Sequence, residues 1–150
     1  MLRAIVALGI ALAGSAVLAQ SARDVVGTYS FVHETGIDGH QSNAGAKGIL
    51  ILDERGRYAL TIIAPDIPHV ASNNRRSATA DEAKAIVAAT TAHFGTYSVD
   101  NGNLVFKIER ASFPNWNGTE QKRPFKLVGD ELQYSVAASS GSGSSITPRS

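Results

Sequence analysis

Alternation of apolar and polar side chains with a period of two, in short runs cut by turn residues, is the feature that most narrows what this chain can fold into. "RYALTII" is one such run and "NLVFKIERA" another. Runs of this kind build strands with one buried face. Their repetition at short spacing favours an antiparallel meander over alternating strands and helices. Seven strands are predicted, over residues 26–34, 46–52, 57–63, 93–99, 103–111, 121–128 and 131–137. The intervening residues agree. Gly56 in "DERG" suits a tight turn, Asp100-Asn101-Gly102 is a strong hairpin signal, and Gly129-Asp130 joins the last two strands.

One segment departs from this pattern. In "TADEAKAIVAATTAHF", Thr79 and Glu82 have capping-box spacing, and Ala83, Ile86, Val87 and Thr90 fall on one helical stripe. A helix over 81–92 is predicted. A single helix cannot cover a seven-stranded sheet, so the sheet must bury its apolar face against itself. The expected fold class is all-β, an antiparallel up-and-down β-barrel with one short helix between strands three and four, lying over one barrel opening.

The first nineteen residues belong to another category. Arg3 provides a positive start, residues 4–13 an apolar run, and Val17-Leu18-Ala19 a small-residue cleavage pattern. The run is shorter than the ~20 residues that span a bilayer, so a signal peptide over 1–19 is expected rather than a stable membrane anchor. That places the barrel, residues 20–137, in the periplasm or outside the cell. Of the 14 Lys and Arg residues only Arg3 lies in that segment, leaving 13 basic residues against 13 acidic ones. Phosphate backbones are bound by an excess of basic groups, so no nucleic-acid partner is expected. There is no cysteine, which excludes disulfides and thiolate catalysis.

The chemistry can be sorted by strand face. If Tyr29 and Phe31 point inward, so does His33; if Phe106 does, alternation carries Arg110 with it; and Phe125 brings Arg123. Two buried guanidiniums need an acidic partner such as Glu109 or Glu120, solvent at the barrel mouth, or an anionic ligand. His33, Glu34, Asp38 and His40 cluster in one loop region but lack a metal-binding spacing, so no metal and no cofactor is expected. No G-x-S-x-G elbow surrounds Ser112, which reads as a turn residue before Pro114. Between the fifth and sixth strands "SFPNWNGT" forms an elbow. There Trp116 either plugs one barrel end or lines a ligand entrance, with Asn115 offering hydrogen bonds.

Four stretches resemble a known family: "GTYSF", "GILILDERGRYAL", "AHFGTYSVD" and above all "SFPNWNGTEQKRPF" at 112–125. They occur in this order over about 110 residues, and they resemble the bacterial and fungal lipocalin-like domain family. The resemblance implies an up-and-down barrel holding one small ligand. It also leads one to expect an eighth, closing strand. Here the chain ends in "AASSGSGSSITPRS", whose composition predicts a flexible tail over 138–150. The alternative is a barrel with an unpaired edge.

Two functions of different class follow. One is an exported barrel that binds a small, partly apolar, anionic molecule. Tyr29, Tyr58, Phe106 and Phe125 are its walls, Arg110 and Arg123 its anchors, and Asn115 and Trp116 its entrance. The other is a lumenal isomerase, cyclase or hydrolase in which His33 is the general base and an arginine stabilises developing charge.

Overall fold

The computed structural model describes residues 20–36, 41–42, 44–136 and 144–149. Along the chain run β1 (Gly27–Gly36), β2 (Gln41–Ser42), β3 (Lys47–Leu52), β4 (Arg57–Ile63), α1 (Ala80–Ala89), β5 (Thr90–Asp100), β6 (Asn103–Ala111), the 3-10 turn η1 (Pro114–Trp116), β7 (Glu120–Val128), β8 (Glu131–Ser135) and β9 (Ser144–Arg149). The sheet order is β2-β1-β3-β4-β5-β6-β7-β8-β9, and β1 also pairs with β9, which closes the barrel. Every pairing is antiparallel. The all-β up-and-down barrel with one short helix between its main strands is therefore the architecture that alternation predicts.

The closing strand corrects the reading of the tail. Ser144–Arg149 is not a flexible end: it pairs with β1 from Ser30↔Arg149 to Gly36↔Ser144, and with β8 at Tyr134↔Ile146. Without it, β1 and β8 would both present unpaired backbone donors and acceptors. Ser and Gly have little strand propensity of their own, so the requirement for a partner comes from two distant edges and is invisible in local composition.

Asn101 and Gly102, both at positive φ (48° and 74°), form the two-residue turn between β5 and β6 that the Asn-Gly signal called for. This turn, the β3–β4 and β7–β8 turns and the segment before β1 all emerge at one barrel end. The α1 connection and the 112–119 elbow emerge at the other. Large side chains line the interior, among them Leu50, Leu52, Leu104, Phe106, Leu132 and Tyr134, each at most 2% exposed. Each contributes about 1.5–3 kcal/mol through burial.

The helix is shorter than expected and differently oriented. Its capping box is present, with Thr79 accepting from the Glu82 backbone and Glu82 reaching back to Thr79. Its half-buried stripe, however, is Glu82, Ala85, Ile86 and Ala89, while Ala83 is exposed and Val87 is 57% exposed. No residue of α1 is buried, so it is no plug. Thr90, Thr91 and Ala92 belong to β5, where they pair with Ile63, Ile62 and Thr61. Two adjacent β-branched threonines lose side-chain freedom in a helix and fit a ladder instead. The Ser112 hydroxyl holds that ladder by accepting from the Ala92 N–H at 3.0 Å and donating to the Thr90 carbonyl at 3.2 Å.

Candidate functional site

Two bulges decide which polar side chains enter the barrel. In β1 the pairing with β9 slips between Phe31 and His33, so one extra residue enters the strand. Beyond the slip Glu34 takes the buried position, at 7% exposure, and His33 is left half-buried. In β6 the pairing passes from Gly95↔Ile108 to Phe94↔Arg110, skipping Glu109. A Cβ on Gly95 would lie 2.0 Å from the Lys107 carbonyl oxygen, so only glycine lets the two strands meet there. Past this second bulge Arg110 is exposed and donates to the Glu109 carbonyl at 2.8 Å. Period-2 alternation fails at a bulge because one added residue inverts every later face. His33 and Arg110 are thus both removed from the set that alternation would place in the lumen.

Arg123 stays. β7 has no bulge, and Arg123 lies opposite Leu104, only 5% exposed, six positions along β6 from Arg110. The two guanidiniums are not neighbours at the elbow, because the β6–β7 ladder ends at Lys107↔Glu120 and leaves Arg110 outside it. Neither Glu109 nor Glu120 reaches Arg123: Glu109 pairs with Arg57, and Glu120 with Lys107 and Lys122.

Instead Arg123 lies over the rings of Phe106, 5.4 Å from its centroid, and Tyr134, 5.1 Å away. Its Nη2 donates to Gln121 Oε1 at 2.5 Å. Phe106 is the centre of the group: Tyr58 lies 4.5 Å from it, His93 6.1 Å and Tyr134 6.3 Å, centroid to centroid. The Tyr58 hydroxyl is 2.8 Å from His93 Nδ1. Beyond His93, Trp116 packs edge-on at 5.9 Å, which sets the elbow against the cluster. Trp116 is half-buried and also touches Phe113.

Burial sets the electrostatics. It depresses the pKa of His93 to about 3, with the positive field of Arg123 acting the same way, so the imidazole is neutral at ordinary pH. Burial raises the Tyr58 hydroxyl well above the normal tyrosine range. It raises Tyr134 too, against the opposing pull of Arg123 and with added help from the carboxylate of Glu34. Among the described residues, three buried polar atoms of this cluster have no hydrogen-bond partner: His93 Nε2, Arg123 Nε and Tyr134 Oη. The Tyr134 hydroxyl lies near the guanidinium, but the two do not form a hydrogen bond of good geometry. Among the described residues, no carboxylate forms an ion pair with Arg123.

The match of a family model decides the classification: the lipocalin-like domain is matched over residues 26–147. The chain belongs to the lipocalin-like domain family. The matched segment runs from just before β1 into β9 and contains every residue of the cluster. No curated protein matches the chain.

Within this lipocalin-like barrel the other predicted residues take lesser parts. Tyr29 is buried, and its hydroxyl donates to the Val25 carbonyl at 2.9 Å, toward the barrel end away from the elbow. Phe125 is a core wall opposite Tyr134. Asn115 is exposed on η1, and it is Asn117 that braces the elbow, its Oδ1 accepting from the Ala111 N–H at 2.8 Å. His93, Tyr134, Gln121 and Glu34 were missed. For the first two the signal was present, since His93 shares a face with Tyr97 and Tyr134 shares one with Leu132.

A surface cleft of about 710 Å³ lies under the turn end of the barrel, lined by Arg23, Glu54, Gly56 and Tyr97 among others, and contains none of the clustered groups. Among the described residues no three His, Cys, Asp or Glu side chains gather as a metal site. Asp38 and His40 lie outside the described residues, as does the segment 1–19.

Proposed function

We propose that this protein is an exported lipocalin-like barrel that binds a small, partly apolar molecule through an anionic group held at Arg123. The fold supports ligand binding in general. The finer reading is carried by one observation: a guanidinium 5% exposed, lying over the rings of Phe106 and Tyr134, whose Nε–H has no partner among the described residues. A permanently charged group so placed costs several kcal/mol unless an anion or a well-formed set of acceptors meets it. Phe106, Tyr58 and Trp116 supply the aromatic surface that would receive the apolar part. Export rests on the signal-like chemistry of residues 1–19 and is checked by N-terminal sequencing, with a start near Gln20 expected.

The binding reading is tested with dansyl-undecanoic acid followed by fluorescence, alongside mass spectrometry of molecules retained from cell extract. Arg123→Met keeps the aliphatic stem and removes the charge. It is expected to weaken the acid at least tenfold. Unchanged affinity in a folded Arg123→Met protein would remove the anion site.

A further inference from the structure

His93 and Tyr58 show which kind of polar headgroup the interior can hold, an inference that rests on Arg123 being the ligand site. A neutral imidazole carries one proton on two nitrogens. His93 Nδ1 faces the Tyr58 hydroxyl at 2.8 Å, and among the described residues that hydroxyl has no other partner. If Nδ1 carried the proton, the Tyr58 O–H would be buried without an acceptor, and the Nε2 lone pair would be buried without a donor. If Nε2 carries it, the Tyr58 hydroxyl donates to Nδ1 and only the Nε2–H remains. The second arrangement leaves fewer groups unsatisfied, and the raised pKa of Tyr58 keeps its proton available to donate.

With that tautomer, all three orphaned atoms around Phe106 can donate: Arg123 Nε–H, His93 Nε2–H and Tyr134 O–H. An amine offers them only further donors, and a hydroxyl offers one oxygen that must also find a home for its own proton. A carboxylate is acceptor-only, with two oxygens and room for several donors. We infer that Arg123, His93 and Tyr134 form one donor cradle for a carboxylate headgroup, and that Tyr58 is the positioning residue that fixes the His93 tautomer. The Tyr58 hydroxyl itself touches no headgroup in this scheme; its effect on selectivity passes through His93.

The experiment compares dansyl-undecanoic acid with its methyl ester on the full barrel and records the ¹⁵N shifts of His93. In the wild type His93 is expected as the Nε2–H tautomer, with the acid preferred over the ester. Tyr58→Phe keeps the ring that packs on Phe106 and removes the hydroxyl. It should mix the two tautomers and reduce the acid-over-ester preference about five- to tenfold, the worth of one hydrogen bond. A wild-type His93 protonated on Nδ1 would overturn the inference without any variant. So would an unchanged tautomer and an unchanged preference in Tyr58→Phe. Loss of binding in Arg123→Met together with either of those results leaves the binding reading standing and removes only the cradle; full binding in Arg123→Met removes both.

Discussion

The four tyrosines of this chain divide between two kinds of surroundings. Toward the turn end of the barrel, the Tyr29 hydroxyl donates to the Val25 carbonyl at 2.9 Å and the Tyr97 hydroxyl to the Asp53 carbonyl at 2.8 Å. Around Phe106, the Tyr58 hydroxyl meets an imidazole nitrogen, and the Tyr134 hydroxyl has no hydrogen-bond partner among the described residues. All four rings are buried. The difference lies in what each hydroxyl is given to bond. One that ends on a backbone carbonyl ties a connecting segment to the barrel and leaves nothing for a ligand. One left with spare capacity costs about 1–3 kcal/mol of unmade hydrogen bonding, and it is available for recognition. In this barrel, polar groups that stabilise and polar groups that can recognise occupy separate regions.

The strongest way to break this comparison is acid. His93 is neutral in the fold down to about pH 3, whereas in the unfolded chain it binds a proton below about 6.5. Between these values the unfolded state holds more protons, so stability is full above the upper one and falls as pH drops toward the lower, by about 1.4 kcal/mol per unit. Tyr58 and Arg123 are the groups that face the ring; burial raises the Tyr58 hydroxyl, which keeps its proton throughout this window. Urea unfolding at a series of pH values should show a steeper acid loss in the wild type than in His93→Phe. Equal slopes would mean that His93 is not buried as a neutral ring.

A smaller effect is expected from Tyr97→Phe, which removes the donor to the Asp53 carbonyl. It should lower stability by about 1–2 kcal/mol and leave dansyl-undecanoic acid binding unchanged. A clear loss of affinity would join the two regions that the comparison separates.

The smallest loss of stability, none at all, is expected from Tyr134→Phe. Deleting a hydroxyl that has no hydrogen-bond partner among the described residues should leave the unfolding free energy unchanged or raise it by up to about 1–3 kcal/mol, while weakening the acid severalfold. A drop in stability as large as that of Tyr97→Phe would show that the Tyr134 hydroxyl is a structural group after all.

Much of the barrel was legible because a strand buried on one face must alternate, and the runs at 57–63, 103–111 and 121–128 do so within a residue of β4, β6 and β7. The turns were legible for the same local reason, since Asn101-Gly102 reaches positive φ at little cost. The helix was legible at its start, where Thr79 and Glu82 cap each other, and not at its end, where pairing with β4 draws Thr90–Ala92 into β5.

What the sequence determined by itself was therefore the class of fold, most strand positions, the elbow, and an inward Arg123, all of which follow from side-chain period and turn chemistry. Tertiary structure alone decided three things. It closed the barrel with Ser144–Arg149, because two distant edges needed a partner. It turned Arg110 outward and brought Glu34 in at His33's expense, because a bulge depends on how a neighbouring strand fits and shifts every face beyond it. And it gathered Tyr58, His93, Arg123 and Tyr134 around Phe106, because residues from five strands meet only once the sheet has curled on itself and burial has set which of their protons stay.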